Sequence, residues 1–304
     1  MRPDLSVELG PLKLANPVMT ASGTCGYGFE LEDYNDLTKL GALIPKSITL
    51  NPRLGNMPPR LVETPSGLIN SIGLQNDGLA DFIARKLPKM RKLGCPIIAN
   101  IAGFDVAEFA LMAAELDARD EVAGFEVNIS CPNVKQGGVQ FGIEPHAAAE
   151  VTKAVRKATK KAVIVKLTPN VTDITEIARA VEAEGADAVS LINTLSAMAV
   201  DAESRKPMLG NVFGGLSGPC VKPVALRMVY LTHKAVKIPI VGLGGIRTGA
   251  DAIEFILCGA TAVEVGTGVL LQPRACMEVL EGIEDYCVRH GVSKLTDLVG
   301  GLKL

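Results

Sequence analysis

Aromatic residues are scarce in this 304-residue chain, at 4%. Hydrophobic residues nevertheless reach 48%, so the core must be built from Ala, Val, Ile and Leu. Such a core suits helices packed on parallel strands better than a sandwich of aromatic pairs. Excess charge is also missing: the formal net charge of −2 leaves no electrostatic footprint for nucleic acid. The densest basic cluster, Arg156-Lys157 with Lys160-Lys161, reads as a solvated helix end. No transmembrane run and no secretory signal are present, so a soluble cytoplasmic protein is expected. Seven cysteines lie scattered without a Cys-x-x-Cys pair, which speaks against a disulfide framework and for a reducing compartment. The three histidines fall on or beside expected helices, and no spacing of His, Cys, Asp or Glu resembles a metal site.

What the chain does have is alternation. Leu5-Val7-Leu9 and Leu12-Leu14, split by Gly10-Pro11, predict a small N-terminal β-hairpin. Strands are then expected at Pro17–Thr20, Leu43–Ser47, Ile97–Ile101, Phe125–Ile129, Val163–Leu167, Ala188–Ile192, Ile240–Gly242 and Ala262–Val265. Helical spacing follows at Glu30–Leu40, Leu79–Leu93, Val106–Ala118, Ala147–Thr159, Ile174–Glu184, Pro223–Val236, Ala250–Leu257 and Arg274–His290. Strict alternation of eight strands and eight helices predicts a (β/α)8 TIM barrel with inserted active-site loops; a doubly wound sheet is the alternative, since periodicity does not show closure. No linker splits residues 1–304, and a single domain is expected.

In a barrel, function sits at the strand C-termini. Those ends read Ala21-Ser22-Gly23, Lys46-Ser47, Asn100, Asn128 with Cys131, Lys166, Asn193-Thr194, Gly244-Gly245 and Gly266-Thr267. Lys46 and Lys166 each follow an apolar run, and an inward lysine is rare unless paired or functional. In Asn128-Ile129-Ser130-Cys131-Pro132-Asn133, two amides and a thiol gather where Pro132 ends a strand. Amides grip a ring carbonyl as donor and acceptor; a thiolate can act as nucleophile or base. A buried cysteine before a turn is the plainer alternative for a lone Cys. The insert from Thr49 to Asp77, with Asn70-Ser71-Ile72-Gly73-Leu74, is long enough to be a binding loop. Gly242-Leu243-Gly244-Gly245 and Gly266-Thr267-Gly268 offer a phosphate cradle, and Gly214-Gly215-Leu216-Ser217-Gly218-Pro219 adds a flexible loop near the same rim. Those two loops suit one terminal phosphate, and no Gly-x-Gly-x-x-Gly opens a helix after the first strand, which speaks against a dinucleotide.

The segments Asn128–Asn133, Asn70–Asn76 and Gly242–Ile246 resemble the dihydroorotate dehydrogenases, flavin enzymes of pyrimidine synthesis, and the resemblance runs from the hairpin to about Gln272. Cys131, in place of serine, looks like the soluble class 1 enzymes. Ser22–Gly28, Thr49–Arg53 and Phe141-Gly142 look like subclass 1B, a catalytic subunit that works with an electron-transfer partner; the fumarate-using 1A homodimer is the near neighbour. Position 25 is Cys, where the resemblance implies an aromatic or other residue. The resemblance implies that Cys131 takes the C5 proton of dihydroorotate while hydride leaves C6 for FMN. It assigns substrate to Lys46, Asn70, Ser71, Ile72, Gly73, Leu74, Asn128, Asn193 and Thr194. To FMN it assigns Ser22, Lys46, Ser47, Asn100, Asn128, Lys166, Ile192, Gly218, Gly244, Gly245, Gly266 and Thr267. It further implies a homodimer within a heterotetramer, with FAD and a [2Fe–2S] cluster on the partner that passes electrons to NAD. Two rivals come from the residues alone: a Schiff-base aldolase using Lys166, and a non-catalytic binder of phosphate ligands.

Overall fold

Seven short strands, largely buried on both faces, lie side by side in parallel in the computed structural model, which describes residues 2–130 and 141–303. Across the sheet they run Val18–Thr20, Ala262–Val265, Ile240–Leu243, Ala188–Leu191, Ala162–Lys166, Val122–Asn128 and Ile97–Ile101. The gap between the outer two is filled by residues 42–48, which bridge Met19 through Ala42, Ile97 through Leu43 and Ile101 through Ile48. Leu43 N donates to Pro96 O at 2.8 Å, Ile98 N to Leu43 O at 3.0 Å and Ile48 N to Asn100 O at 2.9 Å. Eight staves therefore close into a (β/α)8 barrel. The second stave is irregular because Pro45, in its middle, has no N–H to give. Thr20 repairs the seam on its other side: its Oγ1 accepts from Ile44 N at 2.9 Å and donates to Ile44 O at 3.2 Å.

The N-terminal hairpin forms as expected, Val7–Leu9 against Leu12–Leu14, with Leu9 and Leu14 in the core. Gly10 lies against Asp187 and Leu12 approaches Gly124, so the hairpin covers the end where strands begin. Helices follow most staves: Val106–Asp117, Pro145–Ala158, Ile174–Ala183, Lys222–Ala235, Gly249–Leu257 and Ala275–Arg289. Asp105 and Asp173 cap their helices, and Thr248 with Asp251 forms a reciprocal capping box.

Strict alternation breaks down early. The expected helix over Glu30–Leu40 is instead two single 3₁₀ turns, Phe29–Leu31 and Leu37–Lys39. Asp36 accepts from Thr38 N and restarts the chain between them, as short polar residues do at turns. The helix expected over Leu79–Leu93 is present but interrupted by a π-turn, Phe82–Lys86, just before Pro88. The insert expected as a loop holds two strands, Leu61–Thr64 and Gly67–Asn70. The glycine run after the sixth stave is not a flexible rim either: Phe213–Ser217 is a strand. Together with Leu195–Met198 these make a four-stranded antiparallel sheet, in the order Leu195–Met198, Phe213–Ser217, Gly67–Asn70, Leu61–Thr64. Two insertions, far apart in sequence, thus build one sheet. Glycine is needed there because a Cβ on Gly214 would stand 2.6 Å from Asn70 O.

Candidate functional site

Strand register places the site. Successive residues of a strand face opposite ways, and in-register partners on neighbouring strands share a face. Asn100 stands opposite Glu126, Asn128 opposite Lys166, and Lys166 opposite Ser190. These side chains therefore project to one side, and their contacts show it to be the barrel interior. Lys166 Nζ lies 3.2 Å from Glu126 Oε2 and 3.0 Å from Glu264 Oε2, which belongs to the last stave. Asn100 Nδ2 donates to Glu126 Oε2 at 2.5 Å and Ser190 Oγ to Glu126 Oε1 at 2.7 Å. All five residues are buried.

The charges sort themselves by their partners. Burial alone would push the Lys166 ammonium down, but Glu126 and Glu264 outweigh it and its pKa is raised. Burial works against an ionised Glu126 as well; Lys166 and the hydrogen bonds from Ser190 and Asn100 help overcome it and hold that carboxyl below its usual value. Glu264 goes the other way. Burial and the charge of Glu126 push it well above the usual carboxyl range against the pull of Lys166. Lys166 is thus an ammonium, not the free amine that a Schiff-base aldolase requires.

Around this buried group the strand ends form a polar mouth. Ser22 Oγ and Ser47 Oγ lie 3.2 Å apart at the first two staves. Lys46, beside Ser47 in the chain, has its pKa lowered by burial first and by the charge of Arg60 second. Asn193 Nδ2 reaches Asn128 Oδ1 at 3.5 Å, and Asn193 Oδ1 accepts from Thr194 N at 2.8 Å. Ser130 Oγ donates to Lys166 O at 3.1 Å, tying the start of the Cys131 segment to the fifth stave. Asn70 arrives from the inserted sheet, with Nδ2 3.2 Å from Gly215 O. Beyond it, Ser71 Oγ and Ile72 O both accept from Asn56, Gly73 O from Arg53 Nε, and Leu74 O from Asn76. On the opposite rim, Gly244 and Gly245 have φ of +118° and +87°, open to glycine but strained for other residues. Gly245 packs against Gly218 O and Lys222, where a helix begins, and Ile192 donates its N–H to Leu243 O at 2.9 Å. Thr267 Oγ1 donates to Ser217 Oγ at 2.8 Å beside Gly266.

Cys131, Pro132, Asn133 and Gly137-Gly138 lie outside the described residues. Sequence reasoning missed Glu126, Ser190 and Glu264. A signal was available for the two acids: each is a lone charge inside an apolar strand, in Phe125-Glu126-Val127 and Val263-Glu264-Val265.

The dihydroorotate dehydrogenase family model matches residues 4–287. The chain belongs to the dihydroorotate dehydrogenase family. Similar proteins span its whole length. One from Trichlorobacter lovleyi is 56% identical over 303 residues, covering 100% of both chains; one from Geotalea daltonii is 55% identical, covering 100% of this chain and 99% of its own. A third, from Parabacteroides distasonis, is 53% identical over 302 residues, with 99% of each chain covered. All three bear the name dihydroorotate dehydrogenase B (NAD(+)), catalytic subunit. In this dihydroorotate dehydrogenase family member, the described part of the mouth is a ring of amides and hydroxyls above a buried ammonium. No helix among the described residues is long and apolar enough to cross a membrane.

Proposed function

We propose that this chain is the catalytic subunit of an NAD-linked dihydroorotate dehydrogenase, oxidising dihydroorotate to orotate on FMN. Family membership and three full-length relatives of that name support the reaction. The observation that carries the cofactor reading is Asn100 Oδ1, buried and without a partner among the described residues, at the barrel mouth. An acceptor in that position fits the imide N–H of a flavin ring. The positive-φ pair Gly244-Gly245 and the Gly266-Thr267 turn fit its phosphate.

Bound FMN supplies an acceptor for hydride. Lys166 would face the pyrimidine end of the ring and hold a fixed positive charge there. Ser22, Ser47, Asn128, Ile192 and Gly218 would complete the cofactor's surroundings. Lys46, with Arg60 close enough to depress its pKa, supplies cationic charge for the substrate carboxylate. Asn70, Asn128, Asn193 and Thr194 would orient the ring by its amide edges, with the backbone of Ser71–Leu74 closing over it. Cys131 would take the C5 proton. Residues 1–304 act as one domain in this reading, since the inserted sheet contributes Asn70 to the barrel mouth. An electron-transfer partner with FAD and a [2Fe–2S] cluster would carry the electrons to NAD, in the reducing cytoplasm that unpaired thiols at Cys25, Cys95, Cys258, Cys276 and Cys287 suit.

The test begins with a visible spectrum of the purified chain, which should show bound FMN. Dihydroorotate should bleach it, and NAD⁺ should be reduced only after the partner is added. Cys131→Ser should slow the bleaching by about 10²-fold or more, with the loss shrinking as pH rises, while orotate still binds. A colourless chain that takes up no added FMN would refute the cofactor reading. NAD⁺ reduction by the chain alone, or fumarate turnover that the partner does not improve, would refute the partner.

A further inference from the structure

The charges inside the barrel do not balance one to one. Among the described residues, Lys166 Nζ is the single ammonium within reach of two carboxyl groups, Glu126 at 3.2 Å and Glu264 at 3.0 Å, and all three side chains are buried. The two acids differ in their other partners. Glu126 also accepts from Asn100 and Ser190. Glu264 has Lys166 alone, and its Oε1 has no partner among the described residues. Two carboxyl groups beside one cation, away from water, cannot both ionise without a large penalty. The better-bonded one keeps the charge.

We propose that Glu264 is a proton-holding positioning residue for the flavin site: Glu126 and Lys166 form a fixed ion pair, and Glu264 binds or releases one proton as the charge opposite Lys166 changes. The proposal rests on the FMN reading above. Lys166 and Glu126 are the charged groups that face Glu264; its elevated pKa, set by burial and then by Glu126, agrees with the neutral form. FMN bound here would accept a hydride, two electrons and one proton, and so would gain one negative charge opposite Lys166. Where Glu264 is ionised, it then takes one proton from solvent; no electron passes through the cluster. That proton uptake removes one negative charge from the cluster and so offsets the new one without moving Lys166.

The test is the midpoint potential of bound FMN against free FMN between about pH 6 and pH 9. In the wild type, one extra proton per two electrons should make the slope about twice as steep over part of that range. Glu264→Gln keeps the shape, removes the proton and should run parallel to free FMN. A Glu264→Gln profile that coincides with the wild type would overturn the proposal. A second measurement needs neither flavin nor that variant. At pH near 7 the wild-type infrared spectrum should contain a buried carboxylic-acid C=O band, and Glu126→Gln should remove it by leaving Glu264 as the sole counter-ion of Lys166. If no such band exists, the proposal fails, whatever becomes of the cofactor. Failure of the wild type to take up FMN would instead refute the proposed function and leave the infrared result to judge Glu264.

Discussion

The two sides of the mouth are built by opposite rules. On the barrel wall, Asn100, Glu126, Lys166, Ser190 and Glu264 bury their polar groups on strands locked at both edges. On the inserted sheet and its flanks several large apolar side chains stand exposed among polar ones: Leu54 at 94%, Met57 at 78% and Phe213 at 58%, with Leu61, Met198, Val200 and Met208. Buried charge needs a scaffold that cannot relax, because each unpaired group costs kilocalories. Surface recognition needs the reverse, apolar groups left free to be covered. The wall is thus suited to tuning a cofactor, while the sheet reaches over it with Asn70 and, on the same face by register, carries Leu61, Met198 and Phe213.

Lys166→Met should test that contrast most severely. It leaves two buried acids without their cation and should cost about 3–5 kcal/mol in urea unfolding of the flavin-free chain. A loss below about 1 kcal/mol would mean that the wall behaves like a surface ion pair, and the contrast would collapse. Next comes Gly245→Ala. A Cβ there would lie 2.8 Å from Lys222 Cβ and 3.0 Å from Gly218 O, at a φ of +87°. The strain should cost about 1–3 kcal/mol, and FMN affinity measured by fluorescence quenching should fall about tenfold or more.

The sequence made the barrel legible because eight apolar runs at parallel-strand spacing have few other solutions. It made the rim legible as well, since Asn128, Asn193 and Gly244-Gly245 sit where those runs end. Two things stayed hidden. Glu126 and Glu264 lie before their strand ends, so reading the ends alone passed over them, and their meaning depends on a lysine 40 and 98 residues away. The inserted sheet stayed hidden because its strands pair across more than 140 residues, Asn70 with Gly215, and because glycine weakens the strand signal of Phe213–Ser217. Local pattern reveals elements, whereas long-range partners decide what a polar residue is for.

Glu264→Gln should show how the wall responds to pH. The carboxyl of Glu264 is raised in the folded chain, so its stabilising contribution is full below the unfolded value of about 4.3 and is lost as pH rises through the folded value. Glu126, lowered, behaves oppositely: its contribution is present above the unfolded value and lost as pH falls through the folded one. The wild type should therefore lose stability by up to about 1.4 kcal/mol per pH unit as pH rises from about 4.3 toward the folded value of Glu264, and Glu264→Gln should flatten that limb alone. Unfolding curves collected across pH check it. Parallel curves for both proteins would show that Glu264 is not the group that titrates.

The smallest effect on folding belongs to the exposed sheet. Phe213 projects from a strand whose backbone is already paired on both sides, with Leu195–Met198 and with Gly67–Asn70, so its ring contributes little to the fold. Phe213→Ser should change stability by no more than about 0.5 kcal/mol, the range of ordinary surface substitutions. Met57→Ser, on the neighbouring insert, should behave likewise. Assembly is where both should register, because exposed apolar side chains such as Leu54, Met57, Val200 and Phe213 are what a second subunit would cover. Analytical ultracentrifugation of Phe213→Ser with Met57→Ser should show a shift toward smaller species at unchanged flavin content. If the double variant sediments as the wild type does, these side chains are not the subunit contact. If it unfolds instead, those side chains belong to the core, and the contrast between a buried polar wall and an exposed apolar sheet is wrong on its second half.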